Sequence, residues 1–343
     1  MRLHVGLNPY GLTYHLGLQG HGTPRANPDG RGLRGFIAIA RELEAEVLEI
    51  FEPWLTALTD DEVRALRDEL AGLGIRPIVS SGLTMGSVED AFRAARLLDA
   101  TLMRFALSRV LCGDRNAQGD KWPAIVADVR AGLARWAPVA ADAGVTLAIE
   151  NHQDFTSAEL VALCAEAGPG VGVCFDMGNT FPVAEAPLDF TRTVAPWVRY
   201  CHFKDYRVQF TDQGFRLIRC AIGDGAVPYR EIVAILGEHH EALPAALEPG
   251  ALEARHVRLF TPDWWNGYPA KDARALAACL AAAQRNRLPE DADWRTPWET
   301  GDDAALVDYE LAMIRRSAAN MRALGLMPRS PDEAQRNPGT AVA

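Results

Sequence analysis

Four side chains with metal-binding chemistry each come directly after an apolar run in the second half of the chain. They are Glu150, Asp176, His202 and Glu248, separated by 26, 26 and 46 residues. Three carboxylates and one imidazole form an oxygen-rich donor set, which suits Mn²⁺, Mg²⁺ or Co²⁺ better than a zinc site built from thiolates. The sequence therefore predicts one bound divalent ion, and we favour Mn²⁺ among the three.

A single acidic residue or histidine at the end of a strand is usually solvated or satisfied by a hydrogen bond. Four such residues at the ends of four successive strands are less easily explained in this way, because each follows side chains that should be buried. Without a cation they would leave several like charges close together and away from water. This favours a shared metal site over four unrelated strand ends.

The elements that must position these residues are eight short apolar runs, each followed by a stretch with helical periodicity. The predicted strands are 4–7, 46–51, 75–80, 102–107, 145–149, 171–175, 198–203 and 243–247. The predicted helices are 33–44, 60–73, 88–98, 122–143, 157–167, 188–195, 229–236 and 271–284. Alternation of this kind predicts a parallel sheet covered by helices.

Eight such units fit a closed α/β barrel of the (β/α)8 or TIM type, which typically takes roughly 250 residues. An open dinucleotide-binding sheet is less favoured, because no G-x-G-x-x-G fingerprint follows the first strand. We expect the barrel domain over residues 1–290, a C-terminal helical extension over 291–327 with a helix at 304–324, and a disordered polar tail over 328–343.

Three long loops follow the carboxyl ends of strands, at 9–32, 206–227 and 249–270. Such βα loops build the active-site face of a TIM barrel. Within the second loop, residues 208–218 read as a β-hairpin that turns at 212–214. We therefore expect the extended loops to surround the proposed metal site.

Composition and charge exclude several classes of protein. The 343 residues are 48% hydrophobic and 23% charged, which is typical of a globular protein rather than a disordered chain. A net charge of -10 argues against nucleic-acid or anionic-membrane partners. The six cysteines include no C-x-x-C pair and the N-terminus has no signal region, so we expect free buried thiols in a cytoplasmic protein.

The strand-end motifs resemble those of the xylose isomerase-like superfamily of sugar isomerases and epimerases, over about residues 1–287 of this chain. The motifs are Leu-Ala-Ile-Glu150, Phe-Asp176-Met-Gly-Asn179, His202-Phe-Lys204-Asp205 and Leu-Glu248-Pro-Gly. The resemblance implies that the four strand-end residues bind the metal ion. It also implies that Asn179 and Lys204 support these ligands or contact the substrate.

The segment after the first ligand departs from that resemblance. Typical epimerases of the superfamily continue with Glu-Pro-Leu-Asn, whereas this chain has Glu150-Asn151-His152. Residues two apart in a strand face the same side, so His152 should point into the barrel mouth beside Glu150. Lyase-type relatives that act on 3-oxo sugars are similar in having a Glu-x-His pair there, with the histidine as base.

A divalent ion that binds adjacent carbonyl and hydroxyl oxygens of a sugar makes the neighbouring C–H group more acidic, and a nearby base then gives an enediolate. In the isomerase or epimerase that the sequence favours, Glu150 and Glu248 act as the acid/base pair. In the alternative, a lyase or decarboxylase on a 3-oxo sugar or sugar acid, His152 is the base. A barrel that binds sugar without turnover is a third hypothesis.

An abasic-site endonuclease is a rival class with a similar fold, but it is not favoured. Its zinc cluster would need further histidines after the earlier strands, and none lies between His21 and His152.

Several further side chains near the predicted mouth are candidate substrate contacts. They are Asn8, Tyr10, His15, Arg207, Trp264 and Trp265, with Glu49 near the end of strand two. The aromatic run within 258–269 predicts a lid, a sugar platform, a contact with a second subunit in a homo-oligomer, or a loop packed on its own barrel. We expect a small-molecule sugar as partner. No glycine-rich nest or arginine cluster is evident after strands seven or eight, so a phosphorylated sugar is not favoured.

Overall fold

The strands of the protein form one closed barrel and one small separate sheet in the computed structural model, which describes residues 1–250 and 253–328. The strands are β1 Arg2–Leu7, β2 Val47–Phe51, β3 Arg76–Gly82, β4 Leu102–Ala106, β5 Thr146–Glu150, β6 Val171–Asp176, β7 Val198–Phe203, β8 Asp205–Thr211, β9 Gly214–Cys220, β10 Ala242–Leu247 and β11 Arg255–Val257. Eight of them close in the order β1-β10-β7-β6-β5-β4-β3-β2, and every pairing in this barrel is parallel.

Helices follow each barrel strand and cover its outer surface. They are α1 Gly32–Glu42, α2 Glu52–Thr56, α3 Asp60–Gly72, α4 Val88–Leu97, α5 Trp122–Asp142, α6 Ser157–Ala167, α7 Pro187–Val194, α8 Tyr229–Gly237, α9 Ala273–Arg285, α10 Pro297–Thr300 and α11 Leu306–Ala323. The predicted TIM barrel with a C-terminal helical region is therefore confirmed. The short helices α2 and α10 were not expected, because neither is long enough to show a helical period.

Local sequence signals account for the starts of two barrel helices. Thr59 accepts a hydrogen bond from the backbone N–H of Glu62, whose carboxylate accepts one in return from the Thr59 N–H, and this capping box begins α3. Thr156 and Glu159 form the same reciprocal pair at the start of α6. The second box begins a helix just beyond β5, at the end of the loop that carries His152.

The barrel interior changes from apolar to polar between two adjacent layers of side chains. The lower layer packs together Val47, Ile78, Ala148, Cys174, Tyr200 and Ala246. Because side chains alternate along a strand, the next interior layer lies two residues further along the chain. There each barrel strand, or the residue directly after it, contributes one buried polar side chain: Asn8, Glu49, Ser80, Arg104, Glu150, Asp176, His202 and Glu248. We call these eight residues the polar layer.

The small sheet stands beside the barrel mouth and is built from two loops. The antiparallel hairpin of β8 and β9 lies between β7 and α8, as the sequence predicts, and β11 pairs with β9. Since β11 lies between β10 and α9, this sheet joins the loops that follow two neighbouring barrel strands. The strand β11 was not predicted, because three residues show no usable alternation.

The C-terminal helix α11 is attached to the long loop after β1 by a buried carboxylate. Glu310 accepts hydrogen bonds from the backbone N–H groups of Tyr14 and His15, at 3.1 and 2.8 Å, and from the Thr13 hydroxyl at 3.2 Å. The tail predicted to be disordered over 328–343 lies, beyond Pro328, outside the described residues. No helix in the described ranges combines the length and the apolar character needed to cross a bilayer.

We predict that Glu310→Ala lowers the free energy of unfolding by about 1–3 kcal/mol, because it leaves backbone donors of the β1 loop unpaired. Denaturant unfolding followed by circular dichroism measures this change. Asp308→Ala in the same helix is the control, since Asp308 is exposed, and its effect should stay within about 0.5 kcal/mol. Equal losses in the two variants would contradict the prediction.

Candidate metal centre and the cavity above it

Four members of the polar layer bring potential ligand atoms together at one point. Glu150, Asp176, His202 and Glu248 each offer one such atom, and these atoms all lie within 4.8 Å of one another. All four side chains are buried. They come from the ends of β5, β6, β7 and β10, which follow one another around the barrel wall. The structure thus brings together the four residues proposed as ligands.

Glu49, a carboxylate outside the four proposed ligands, fixes the orientation of His202. Its Nε2 lies 2.7 Å from Glu49 Oε2, while its Nδ1 lies 3.2 Å from Glu150 Oε1 and 3.1 Å from Glu248 Oε2. An imidazole that donates from Nε2 to Glu49 presents the Nδ1 lone pair to the cluster, as metal-binding histidines commonly do. The Asn8 side-chain amide lies at the same end of the ring, 3.2 Å from Nε2.

A network of hydrogen bonds holds Asp176 in place. Its Oδ1 accepts from the backbone N–H groups of Gly178 and Asn179 at 3.0 and 3.2 Å, and its Oδ2 accepts from the Asn179 amide at 2.7 Å. The buried Lys204 ammonium also contacts Asp176 Oδ2 and lies 2.7 Å from Glu248 Oε1. Asn179 is fully buried and therefore positions Asp176.

The charges of the polar layer are balanced only in part by protein cations. Three of its four buried carboxylates contact two buried cations, since Arg104 pairs with Glu150 and Lys204 pairs with Asp176 and Glu248. The fourth, Glu49, contacts His202. One divalent ion would neutralise the remainder. The excess negative charge and the donor set of oxygens and one nitrogen both show that the residues fit a divalent cation.

The pKa values of the carboxylates follow from burial opposed by these contacts. Burial raises the pKa of Asp176 to about 6, although Lys204 acts in the opposite direction. Burial alone would also raise the pKa of Glu150, but Arg104 outweighs it and holds that pKa well below its usual range. Lys204 and His202 likewise overcome burial and lower the pKa of Glu248. Glu150 and Glu248 are therefore ionised and ready to bind a cation at neutral pH.

A cavity of about 500 Å³ opens above the cluster. Its volume falls in the range of small-molecule sites, about 300–1,000 Å³. Tyr10, His152 and Glu248 line it together with Arg104, Arg109, Arg219 and Arg255. The cavity thus joins the proposed metal site to a wall that is rich in guanidinium groups.

His152 projects into this cavity from the loop after β5. Its Nδ1 is buried and has no hydrogen-bond partner among the described residues. Burial lowers the pKa of the imidazole to about 4, against the opposing effect of Glu150 and with help from Arg104. His152 is therefore neutral at pH 7, and its side chain lines the cavity together with Glu248.

Two predicted substrate contacts lie away from the cavity. Arg207 is exposed and lines a separate depression with Tyr309 and Arg316, because its side chain lies on the outward face of β8. His15 lies beside Gly35 of α1, and its backbone N–H donates to Glu310. Neither side chain reaches the cluster, since proximity to a strand end in the sequence does not determine the direction of a loop side chain.

The predicted aromatic contacts Trp264 and Trp265 also pack elsewhere. Trp264 is 2% exposed, donates from Nε1 to the carbonyl oxygen of Cys112 at 3.0 Å, and stacks on Tyr268 with ring centroids 4.8 Å apart. Trp265 donates to the carbonyl oxygen of Leu259 at 2.9 Å. These contacts fit the hypothesis that the aromatic loop packs on its own barrel. They attach this loop, which follows β10, to the loop after β4.

The arginines of the cavity were missed by the sequence analysis. Arg104 lies inside the apolar run of β4. A single charged residue in a buried strand was the signal that could have identified it as a functional residue. Arg219 belongs to the predicted hairpin, but the direction of its side chain depends on pairing with β11. Arg219 and Arg255 do follow the seventh and eighth barrel strands, so the expectation of no arginine cluster there is corrected.

The profile of the xylose isomerase-like TIM barrel family matches residues 37–249, and the chain belongs to this family. The D-psicose 3-epimerase of Clostridium cellulolyticum H10, solved with D-tagatose, has the same fold, with a TM-score of 0.51 and 20% identity over 74% of this chain and 93% of that one.

Two curated proteins also resemble the chain in sequence. The 3-oxo-isoapionate decarboxylase of Pectobacterium atrosepticum is 24% identical over 207 residues, which cover 59% of this chain and 72% of that protein. YihM, an uncharacterised protein of Escherichia coli K12, is 32% identical over 96 residues, covering 28% of this chain and only 29% of YihM.

We predict that Mn²⁺ stabilises the protein against unfolding by about 2.7 kcal/mol when the ion is present at about 100 times its Kd. Glu248→Gln and Asp176→Asn should remove most of this gain, because each deletes one anionic ligand. Thermal unfolding with and without Mn²⁺, together with elemental analysis, measures the effect. Glu52→Gln is the control, since it replaces a buried carboxylate outside the cluster. Unchanged stabilisation in both ligand variants would refute the site.

Glu49→Gln should weaken Mn²⁺ binding by about 10- to 100-fold, because the amide no longer holds His202 in the orientation that presents Nδ1. Isothermal titration of the metal-free protein measures the affinity. The same substitution should leave secondary structure intact. An affinity equal to that of the unsubstituted protein would show that Glu49 does not orient the ligand.

Proposed function

We propose that the protein is a divalent-metal-dependent lyase that acts on an oxidised sugar, with His152 as the group that transfers the proton. The observation that carries this proposal is the position of His152, whose side chain lines the cavity with Glu248 and whose Nδ1 has no hydrogen-bond partner in the described part of the chain. The substrate would bind in the cavity of about 500 Å³ above the four ligands.

The proposed ion would be held by Glu150, Asp176, His202 and Glu248. When bound, it would supply Lewis-acid chemistry, which polarises a sugar carbonyl and stabilises the negative charge that develops on its oxygen. The protein residues then have defined tasks. Glu49 orients His202 and Asn179 orients Asp176. His152 transfers the proton at the carbon next to the carbonyl: it removes that proton in an elimination and returns a proton to that carbon after CO₂ is lost in a decarboxylation.

The contacts of Glu150 favour a single proton-transfer group over the pair of glutamates expected for an epimerase. Glu150 contacts His202 through Oε1 and Arg104 through Oε2, and it is fully buried below the cavity wall. A carboxylate whose two oxygens are both engaged and whose pKa is lowered is a poor base. The pKa of His152 is also lowered, but its Nδ1 has no hydrogen-bond partner among the described residues. This supports a lyase, in which one group suffices.

The resemblance to a curated enzyme supports the same class. The Pectobacterium protein is named as a decarboxylase of a 3-oxo sugar acid, and the aligned region covers 72% of its length. Loss of CO₂ leaves negative charge on the neighbouring carbonyl oxygen, and removal of the α-proton places charge on the same oxygen before a β-substituent departs. A site that stabilises this charge serves either outcome, and the substrate decides which bond breaks.

An isomerase or epimerase is the second candidate. Glu248 lines the cavity beside His152, so a substrate between them would have an acid/base group on two sides. In that case a ketose would exchange one C–H hydrogen with solvent and return as its epimer. The solved 3-epimerase shares the fold, which by itself is compatible with many reactions.

The two candidates separate in one assay with the Mn²⁺-loaded protein in D₂O. A lyase should release CO₂ or an eliminated group from a 3-oxo sugar or 3-oxo sugar acid and leave ketohexoses unchanged. An epimerase should introduce deuterium into a ketose and release neither product. Absence of turnover and of exchange with all these compounds would leave a barrel that only binds sugar.

We predict that His152→Ala lowers kcat by about 10²- to 10⁴-fold, the usual contribution of a general base, while Mn²⁺ affinity stays unchanged. His256→Ala is the matched control, because His256 bonds to Thr211 in the small sheet and lies off the cavity wall. Steady-state kinetics and metal titration give the two readouts. Retention of kcat within a few-fold in His152→Ala would rule out this residue as the base.

A further inference from the structure

The small sheet of β8, β9 and β11 places two guanidinium groups on the same side of the cavity. In the antiparallel register, Arg255 lies opposite Leu217, and Arg219 follows two residues after Leu217 on β9. Side chains at such diagonal positions share one face of a sheet and lie close enough for long side chains to meet. Both arginines line the cavity that also contains Glu248 and His152.

Arg219 is a buried cation whose hydrogen-bonding capacity is mostly unused. Its side chain is 4% exposed, and neither Nε nor Nη1 has a hydrogen-bond partner among the described residues. The nearest carboxylate oxygen, Glu248 Oε1, is 3.9 Å from Nη1 and is already 2.7 Å from Lys204. A buried charge without hydrogen bonds is costly unless a ligand supplies them.

Arg255 adds a second group with spare capacity. Its Nη1 pairs with Glu253 on the same segment, while its buried Nε has no partner in the described ranges. Gly250 makes room for the arrangement, because its φ is +61° and a Cβ there would lie 2.6 Å from Arg219 Nη1. At the rim, Arg109 is exposed and forms no ion pair within the described chain.

The charge balance of the site indicates the charge of the substrate. Arg104, Lys204 and the proposed divalent ion offset the carboxylates of the polar layer, and the nearest carboxylate oxygen to Arg219, Glu248 Oε1, is 3.9 Å away and shared with Lys204. A neutral sugar would leave Arg219 without a closely bound anion. An anionic group on the substrate would balance this cation and accept a hydrogen bond from Nε or Nη1, which point to different sides of the guanidinium. Guanidinium groups bind carboxylates through such charge-assisted hydrogen bonds.

We propose that Arg219 and Arg255 form a carboxylate subsite, so that the substrate is a sugar acid whose carboxylate is bound beside the metal centre rather than by the ion itself. This inference rests on the proposed function in taking the cavity as the substrate site. It goes further by naming the charge of the substrate and the residues that select it.

The test compares D-gluconate with D-glucitol, which differ in charge at one carbon and require no turnover. Isothermal titration of the Mn²⁺-loaded protein should show at least a 10-fold preference for D-gluconate. Arg219→Gln and Arg255→Gln should each reduce this preference by roughly 10-fold, since each removes charge-assisted hydrogen bonds. Arg258→Gln is the matched control, because Arg258 is an exposed arginine three residues beyond Arg255 and off the cavity wall. Thermal unfolding confirms that each variant is folded.

Three results would overturn the subsite. Equal affinity for D-gluconate and D-glucitol would show that the cavity does not select charge. A preference that survives in both variants and disappears with EDTA would show that the carboxylate binds the ion. Tighter binding of D-glucitol 6-phosphate than of D-gluconate would replace the carboxylate with a phosphate.

The outcome is independent of the catalytic proposal. His152→Ala should keep the preference for D-gluconate over D-glucitol, because His152 lines the cavity outside the pair of arginines that distinguishes the two compounds by charge. If the arginine variants lose the preference while no lyase activity is found, the subsite stands and the proposed reaction fails. If His152→Ala loses activity while the arginine variants keep full preference, the reverse holds.

Discussion

The concentration of four buried carboxylates in a single layer of the barrel is the constraint on which the rest of the structure depends. Carboxylates taken from water and placed side by side repel one another and lose their hydration, and each effect costs several kcal/mol unless cations and hydrogen bonds compensate. The layer below is mostly apolar and supplies no cation. Compensation must therefore come from within the polar layer or from the mouth above it.

The protein meets this requirement with cations at fixed positions. Arg104 enters from β4 and pairs with Glu150, while Lys204 reaches back from the residue after β7 to join Asp176 and Glu248. These pairs balance part of the charge, and the remainder is suited to a divalent ion. Since both oxygens of Glu150 are engaged, the pairs also favour His152 over Glu150 as the proposed proton-transfer group. Electrostatics thus connects the stability of the barrel to its chemistry.

The barrel and its four candidate ligands were accessible from the sequence because both depend on short-range regularities. Each strand is a compact apolar run, and each ligand directly follows one, so a single alternation rule places them in one layer. Arg104 escaped this reasoning because it interrupts a run that otherwise reads as apolar. Glu49 was noticed as a polar residue, but its contact with His202 joins strands 153 residues apart in the chain.

The features that were not predicted depend on long-range pairing. The hairpin of β8 and β9 follows from its local turn, but its inner face is defined by β11, which comes after β10. Without that register, the sequence does not distinguish Arg207 from Arg219 as a side chain that faces the cavity. The structure shows that one faces solvent and the other faces the cavity. Trp264 and Trp265 likewise satisfy their N–H groups with backbone carbonyls that local sequence does not identify.

The small sheet has a consequence for how a protein of this architecture acquires new substrates. Its three strands lie outside the closed hydrogen-bonded ring of the barrel, and none of them carries a metal ligand. Exchange of charged residues on its inner face would alter the molecules admitted to the mouth and leave the reactive centre unchanged. Selectivity and reactivity are thereby assigned to separate modules, which can diversify at different rates.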